Sequence, residues 1–213
     1  MVSAQYGRLG YWQERYLHKK EQFDWYQKWS GIKDIITQYI KFNEKILNVG
    51  CGNSKLAEDM HKEGYQYIMN IDNSPIVIDD MKSLYQDKEG IEFDCKDVMS
   101  MDFDTGSFDA VIDKGTLDSI LCGDRSNIMA KRMLTQIHRV LKPDGIYVSI
   151  SYAPPENRNR YFKQPEFSWN VFEYQIAKPV LSATAAMTKE EGSTSHYIYV
   201  CIKKRNNFID EGR

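Results

Sequence analysis

The stretch Lys45-Ile46-Leu47-Asn48-Val49-Gly50-Cys51-Gly52-Asn53-Ser54 decides how this chain folds. Ile46, Leu47 and Val49 suit a central strand covered on both faces. Gly50 and Gly52 follow at once. Lacking a Cβ, they let the backbone turn sharply and come close to a ligand. The next residues, Ser54-Lys55-Leu56-Ala57-Glu58-Asp59-Met60, are helical in character, and Gly64 suits the end of that helix. Strand, glycine turn and helix in this order hold backbone N–H groups and a positive dipole end over the strand's carboxyl end. That is a nucleotide-type site on the first strand of an α/β sheet.

Outward from this turn, strands and helices alternate. Upstream, Ile32, Ile35, Ile36, Tyr39 and Ile40 are spaced to give a helix one apolar face. Downstream, residues 67–71 predict a second strand ending at Asp72. Ser74 and Pro75 then fit the cap and first position of a helix that buries Ile76, Val77, Met81 and Leu84. Residues 91–95 and 108–112 predict a third and a fourth strand, the latter running into Asp113-Lys114-Gly115-Thr116. Ser126 suits the cap of a helix lined by Met133, Ile137, Val140 and Leu141. Pro143-Asp144-Gly145 reads as a turn before a fifth strand over 146–150. Two more strand-like runs, 169–176 and 196–202, flank the Ala-, Ser- and Thr-rich residues 177–194, which read as a long flexible hairpin loop. The expected fold is a doubly wound parallel sheet finished by an antiparallel hairpin.

Composition narrows the function. The chain has 213 residues, 42% hydrophobic and 27% charged, as expected of one globular α/β domain. A net charge of −2 argues against bulk nucleic-acid binding, so no direct nucleic-acid partner is expected. No apolar run has the ~20 residues needed to cross a membrane, and the polar, aromatic N-terminus lacks the apolar core of a secretory signal. Cys51, Cys95, Cys122 and Cys201 are scattered, which fits a reducing compartment, and a cytoplasmic location is expected. The four histidines, His18, His61, His138 and His196, do not cluster with them, so no metal site is expected.

The dinucleotide fingerprint has a third glycine where this chain has Lys55, and no phosphate-binding G-x-x-x-x-G-K-[ST] occurs. That leaves a nucleoside without a pyrophosphate. Asp72, 22 positions after Gly50, suits the two ribose hydroxyls. The Asp97 carboxylate can accept from an adenine amino group while the Val98 N–H donates to a ring nitrogen. Each aspartate alone reads equally well as a helix cap. Together the three strand ends point to S-adenosylmethionine.

Several runs are more specific: Tyr-Trp-Gln-Glu-Arg-Tyr (11–16), Phe-Asp-Trp-Tyr (23–26), Val-Gly-Cys-Gly-Asn-Ser (49–54) and Asn-Ile-Asp-Asn-Ser (70–74). Ser-Phe-Asp-Ala-Val-Ile-Asp-Lys-Gly-Thr-Leu-Asp (107–118) and Arg-Val-Leu-Lys-Pro-Asp-Gly (139–145) join them. On these the chain resembles class I S-adenosylmethionine-dependent methyltransferases of the methyltransferase-like group, in the branch acting on lysines of translation elongation factor 1-alpha. The resemblance runs from about Tyr11 to Lys203. It implies a Rossmann-like, doubly wound, seven-stranded sheet, mostly parallel, in a single domain over 1–213. Residues 1–44 would form an N-terminal cap, 45–151 the cofactor core, and 152–205 the substrate-side loops and hairpin. It further implies that Trp12, Tyr16 and Trp25 close over the cofactor, with Gly50, Gly52 and Asn53 at its amino-acid end. Asp72 and Asn73 would take the ribose, Asp97 and Val98 the adenine, and Lys114 would touch the same pocket. Relatives in the branch carry Glu at Asp113 and Asp at Gln13, and their late loop is shorter.

A lysine acceptor must lose its proton, which costs roughly 4 kcal/mol near neutral pH. A dry aromatic channel beside a sulfonium lowers that cost. Asp113, at the fourth strand's end, is the candidate for orienting the amine, although a capping carboxylate would read the same. The usual placement of the hairpin turns Trp169 and Tyr174 toward the substrate entrance. The leading expectation is a monomeric protein-lysine methyltransferase acting on elongation factor 1-alpha or a similar protein. A small-molecule methyltransferase and a non-catalytic partner subunit are the alternatives.

Overall fold

The computed structural model describes residues 5–179 and 194–205. Seven strands form one sheet: β1 (Lys45–Val49), β2 (Tyr67–Asp72), β3 (Ile91–Cys95), β4 (Phe108–Lys114), β5 (Leu141–Ser151), β6 (Trp169–Ala177) and β7 (Ser195–Lys203), in the order β3-β2-β1-β4-β5-β7-β6. All neighbours from β3 to β5 pair in parallel, and β7 pairs antiparallel with both β5 and β6. The expected sheet class and terminal hairpin are both present.

Burial on both faces follows from the period of two along a strand. Ile46, Ile68, Ala110, Ile112, Val148 and Ile198 point to one face and pack against Trp29, Ile32, Ile36, Met60 and Met81. Leu47, Val49, Ile71, Val111 and Tyr199 point to the other, against Ala130, Met133, Leu134 and Ile137. The one polar pair in the middle of β1 and β2 is satisfied internally: Asn48 Nδ2 donates to Asn70 Oδ1 at 2.9 Å across the register-matched rung.

Seven α-helices accompany the strands among the described residues: α1 (Leu9–His18), α2 (Lys33–Ile36), α3 (Leu56–Lys62), α4 (Pro75–Leu84), α5 (Thr116–Leu121), α6 (Ser126–Val140) and α7 (Pro155–Phe162). Several expectations change in detail. The apolar face of Ile32, Ile36 and Ile40 is buried, but only four residues are α-helical, preceded by a 3₁₀ turn over Trp29–Gly31. Ser126 begins α6 rather than capping it; the cap position is Arg125, with φ +54°. Pro143-Asp144-Gly145 lies inside β5, where the pairing with β4 shifts register. Ser74 sits at the cap of α4, yet its Oγ bonds nothing, and Asp72 supplies the capping oxygen to the Ser74 N–H. The loop expected over 177–194 begins with a Lys178 N–H to Thr194 C=O bond at 3.0 Å; residues 180–193 lie outside the described residues.

Candidate active site

A cavity of about 440 Å³ opens over the carboxyl ends of β1 to β5. Its floor is the turn quoted at the outset. Gly50 and Gly52 have φ of +63° and +51°, a region costly for residues with a Cβ. A Cβ on Gly50 would fall on Thr116 Oγ1, and one on Gly52 would come within 2.6 Å of the Tyr16 hydroxyl. Thr116 Oγ1 donates to Val49 C=O at 2.9 Å, so the G-C-G and D-K-G-T runs lock together directly.

The eleven residues expected at the cofactor, Trp12, Tyr16, Trp25, Gly50, Gly52, Asn53, Asp72, Asn73, Asp97, Val98 and Lys114, all line this one cavity. Asp72 accepts from the Gly52 N–H at 3.0 Å and the Ser74 N–H at 2.9 Å, one bond per oxygen, leaving acceptor capacity on each. Burial pushes its carboxyl pKa up, and these backbone N–H groups oppose the shift. Asp97 Oδ1 caps the following turn through the Met99 N–H at 2.8 Å. Its Oδ2 and the Val98 N–H bond no described residue, a donor–acceptor pair matching an adenine edge. The Asn53 amide donates to Glu21 C=O at 2.7 Å and Lys19 C=O at 3.4 Å, tying the N-terminal segment to the turn.

That segment forms an aromatic roof. Trp12 stacks on Tyr16 at 6.0 Å and meets Trp25 edge-on at 6.0 Å. The Trp12 indole N–H donates to Tyr6 C=O at 2.6 Å and lies 3.2 Å from Ser119 Oγ on α5. Lys114 Nζ, buried, donates to Asp24 Oδ1 at 3.0 Å and to Trp25 C=O at 3.1 Å. Burial lowers the lysine pKa and Asp24 counters it. Lys114 therefore fastens the roof to β4, with Asp24 as the neutralising aspartate. Asp24 also accepts from the Ser54 hydroxyl.

Asp113 requires a correction. It is fully buried and absent from the cavity wall. Its oxygens accept from the Thr116 N–H at 2.7 Å, the Tyr147 hydroxyl at 3.0 Å and the Ser149 hydroxyl at 3.1 Å. Burial, then the nearby Asp118 charge, raises its pKa to about 6. It caps α5 from below the site and does not meet an acceptor. Trp169 is likewise buried, against Phe167, His138 and Tyr147, and Tyr174 bonds the Tyr39 hydroxyl; neither lines the cavity.

Residue-by-residue reading missed the wall on the opposite side from Asp97. It consists of Tyr26, Asp118 and Tyr152. Asp118 closes the D-K-G-T-L-D run, so its signal was present, but only the run's first aspartate reads as a strand end. Among the described residues no group of His, Cys, Asp and Glu is arranged to hold a metal ion.

The strand order, glycine turn and successive strand-end aspartates define a nucleoside-binding methyltransferase site. Residues 47–149 match the family model described as a methyltransferase domain. Residues 47–149 therefore form a methyltransferase domain, and S-adenosylmethionine is the cofactor that this site fits. The chain's relatives include the eEF1A lysine and N-terminal methyltransferase of Bos taurus, 38% identical over 71% of this chain and 22% of that protein. EEF1A lysine methyltransferase 4 of Mus musculus is 29% identical over 78% of this chain and 69% of its own length. The chain thus spans about a fifth of the first relative. Among solved structures, an S-adenosylmethionine-dependent methyltransferase from Methanosarcina mazei has TM-score 0.60 at 18% identity, covering 85% of this chain and 99% of its own. The putative methyltransferase bound to the Haloferax volcanii Trm112 activator has TM-score 0.68 at 14% identity, covering 97% of this chain and 99% of that one. No described helix is long and apolar enough to cross a membrane.

Proposed function

We propose that the chain methylates a lysine side chain of a protein, with translation elongation factor 1-alpha as the substrate. The observation that carries this reading is the single cavity joining Asp72 and Asp97 at one end to an aromatic wall at the other. Relatives named for eEF1A lysine methylation support the choice of acceptor. S-adenosylmethionine supplies an electrophilic methyl group on a sulfonium with a good leaving group. The protein's task is alignment and exclusion of water. Asp72 and Asn73 take the ribose, Asp97 and Val98 the adenine edge, and the Gly50–Gly52 turn leaves room for the amino-acid end. Trp12, Tyr16 and Trp25 cover the site. A dry aromatic channel disfavours the charged amine and so delivers it with its lone pair free. Asp113 keeps the α5 turn in register beneath the channel.

On the expected domain plan, the described residues of 1–44 would roof the site, those of 45–151 would hold the cofactor and those of 152–205 would flank the acceptor. All four cysteines are free, in keeping with a reducing, cytoplasmic setting. The test is incubation of the chain with labelled cofactor and purified elongation factor 1-alpha, followed by mapping of the label. Label on one lysine supports the reading. Label confined to small molecules of a cell extract overturns the protein acceptor.

A further inference from the structure

Tyr26 is the unusual residue of the cavity. It is a bulky non-glycine residue at φ +61°, a conformation that persists only where the surroundings enforce it. Its ring lies over Gly115, where a Cβ would come 3.0 Å from Cε2; this contact adds to the demand for glycine that φ +91° already makes there. His196, at the start of β7, packs at 5.0 Å, and Tyr152, just after β5, at 6.2 Å. Its side chain and the Asp118 carboxylate line the same wall of the cavity, and the carboxylate's charge bears on the phenol. The next residue, Gln27, pins the strained turn by donating to Ala177 C=O at 2.7 Å and lying 3.2 Å from His196 Nδ1.

Asp118 is fixed in place beside that phenol. The carboxylate is buried and receives Arg158 Nη2 at 2.7 Å, Arg158 Nε at 3.1 Å, the Ser151 hydroxyl at 2.7 Å and the Tyr152 N–H at 3.0 Å. Asp118 Oδ2 accepts only from the Tyr152 N–H among the described residues and has capacity left; a phenol turned to donate to it would present its remaining lone pairs outward. Burial, followed by the Asp118 charge, raises the Tyr26 pKa, so the phenol keeps its proton. The sheet order sets its position in the cavity. Asp72 and Asp97 stand on β2 and β3, the glycine turn on β1, and Tyr26 against β4, β5 and β7. It faces the end of the cavity opposite the adenosine contacts.

Building on the protein-lysine reading, we propose that Tyr26 is the residue that receives the acceptor amine: its oxygen accepts an amine N–H and aims the nitrogen lone pair inward, with Asp118 as the positioning residue behind it. The amine lone pair forms the new N–C bond while the C–S bond breaks and its electron pair stays on sulfur. The resulting methylammonium gives its extra proton to water. Positive charge growing on nitrogen is met by the Tyr26–Asp118 dipole, already oriented before reaction.

The test is a binding measurement. Two analogues carry nitrogen in place of the sulfonium sulfur; in place of the methyl group, one bears a flexible arm ending in a primary amine and the other the same arm ending in methyl. Calorimetry with the wild-type chain should show the amine arm binding about tenfold more tightly or better, the weight of one hydrogen bond to a charged group. Tyr26→Phe should bring that ratio to near one and leave the affinity for S-adenosylmethionine within about twofold. Asp118→Asn should lower the ratio while sparing the methyl-arm analogue, which a general loss of structure would weaken as well. A Tyr26→Phe ratio equal to wild type overturns the inference and leaves the protein-lysine reading standing. A wild-type chain that labels a protein lysine yet shows no preference for the amine arm also overturns the inference alone. A chain that shows neither overturns both.

Discussion

Two aspartates five residues apart show how hydrogen-bond partners decide role at the scale of single residues. Asp113 and Asp118 belong to one run, and both carboxylates are buried, yet only Asp118 borders the cavity. The first is spent on backbone and hydroxyl donors around α5, the second on an arginine and the back of the aromatic wall. Asp113→Asn should therefore leave cofactor affinity and the pH dependence of methyl transfer unchanged. The Tyr147 and Ser149 hydroxyls can rotate to accept from the new amide, so melting should report a loss of about 1–2 kcal/mol. An amine-orienting Asp113 would instead show a collapse in turnover. Asp72 is the opposite case. Asp72→Ala strands the Gly52 and Ser74 N–H groups and removes the ribose contact, so it should cost about 1–3 kcal/mol per stranded group and abolish cofactor heat in a titration. The strand-end positions of Asp72, Asp97 and Gly50 were legible because periodicity marks where a strand stops. The direction in which Asp113 points was not, because it depends on partners more than thirty residues away on β5.

Among the elements, the N-terminal segment depends most on tertiary contact. Its aromatic content was plain in the sequence, but packing and ligand closure read alike there. The structure packs it onto the domain through Lys114–Asp24 and Asn53, and sets the Trp12–Tyr16–Trp25 cluster in the cavity wall. Lys114→Met leaves Asp24 charged and without its buried partner. Thermal unfolding should show a loss of about 3–5 kcal/mol, and adding Asp24→Asn should recover part of it. Equal losses in the single and double variants would show that the pair does not act as a unit. The short helices α5 and α7 escaped sequence reading because six or eight residues give too little periodicity, and α7 is strongly polar. The β5 bulge escaped because Pro-Asp-Gly signals a turn wherever it occurs.

The centre of the molecule is the parallel part of the sheet, whose inner strands β1 and β4 are buried on both faces, a pattern legible because they are nearly continuous apolar runs. The order of the strands became visible only in three dimensions, and it sets Asp72 and Asp97 on β2 and β3 apart from Lys114 and Tyr152 at the ends of β4 and β5. The fold also carries a pH dependence. Burial, then Lys203, lowers His138 to about 4, and burial lowers His196. Unfolding returns each toward about 6.5, so the unfolded chain takes up more protons and stability falls as pH drops below neutrality. Asp113, raised to about 6, opposes this: its folded form keeps a proton that the unfolded form releases above about 4. His138→Phe should therefore reduce the drop in melting temperature between about pH 7.5 and about pH 5.5; an unchanged drop would exclude His138 as its source. The most direct test of the central claim is amino-acid analysis of protein labelled by the chain with radioactive S-adenosylmethionine. The account predicts label recovered as methylated lysine, lost with Asp72→Ala. Label on any other residue, or labelling that survives Asp72→Ala, would contradict it.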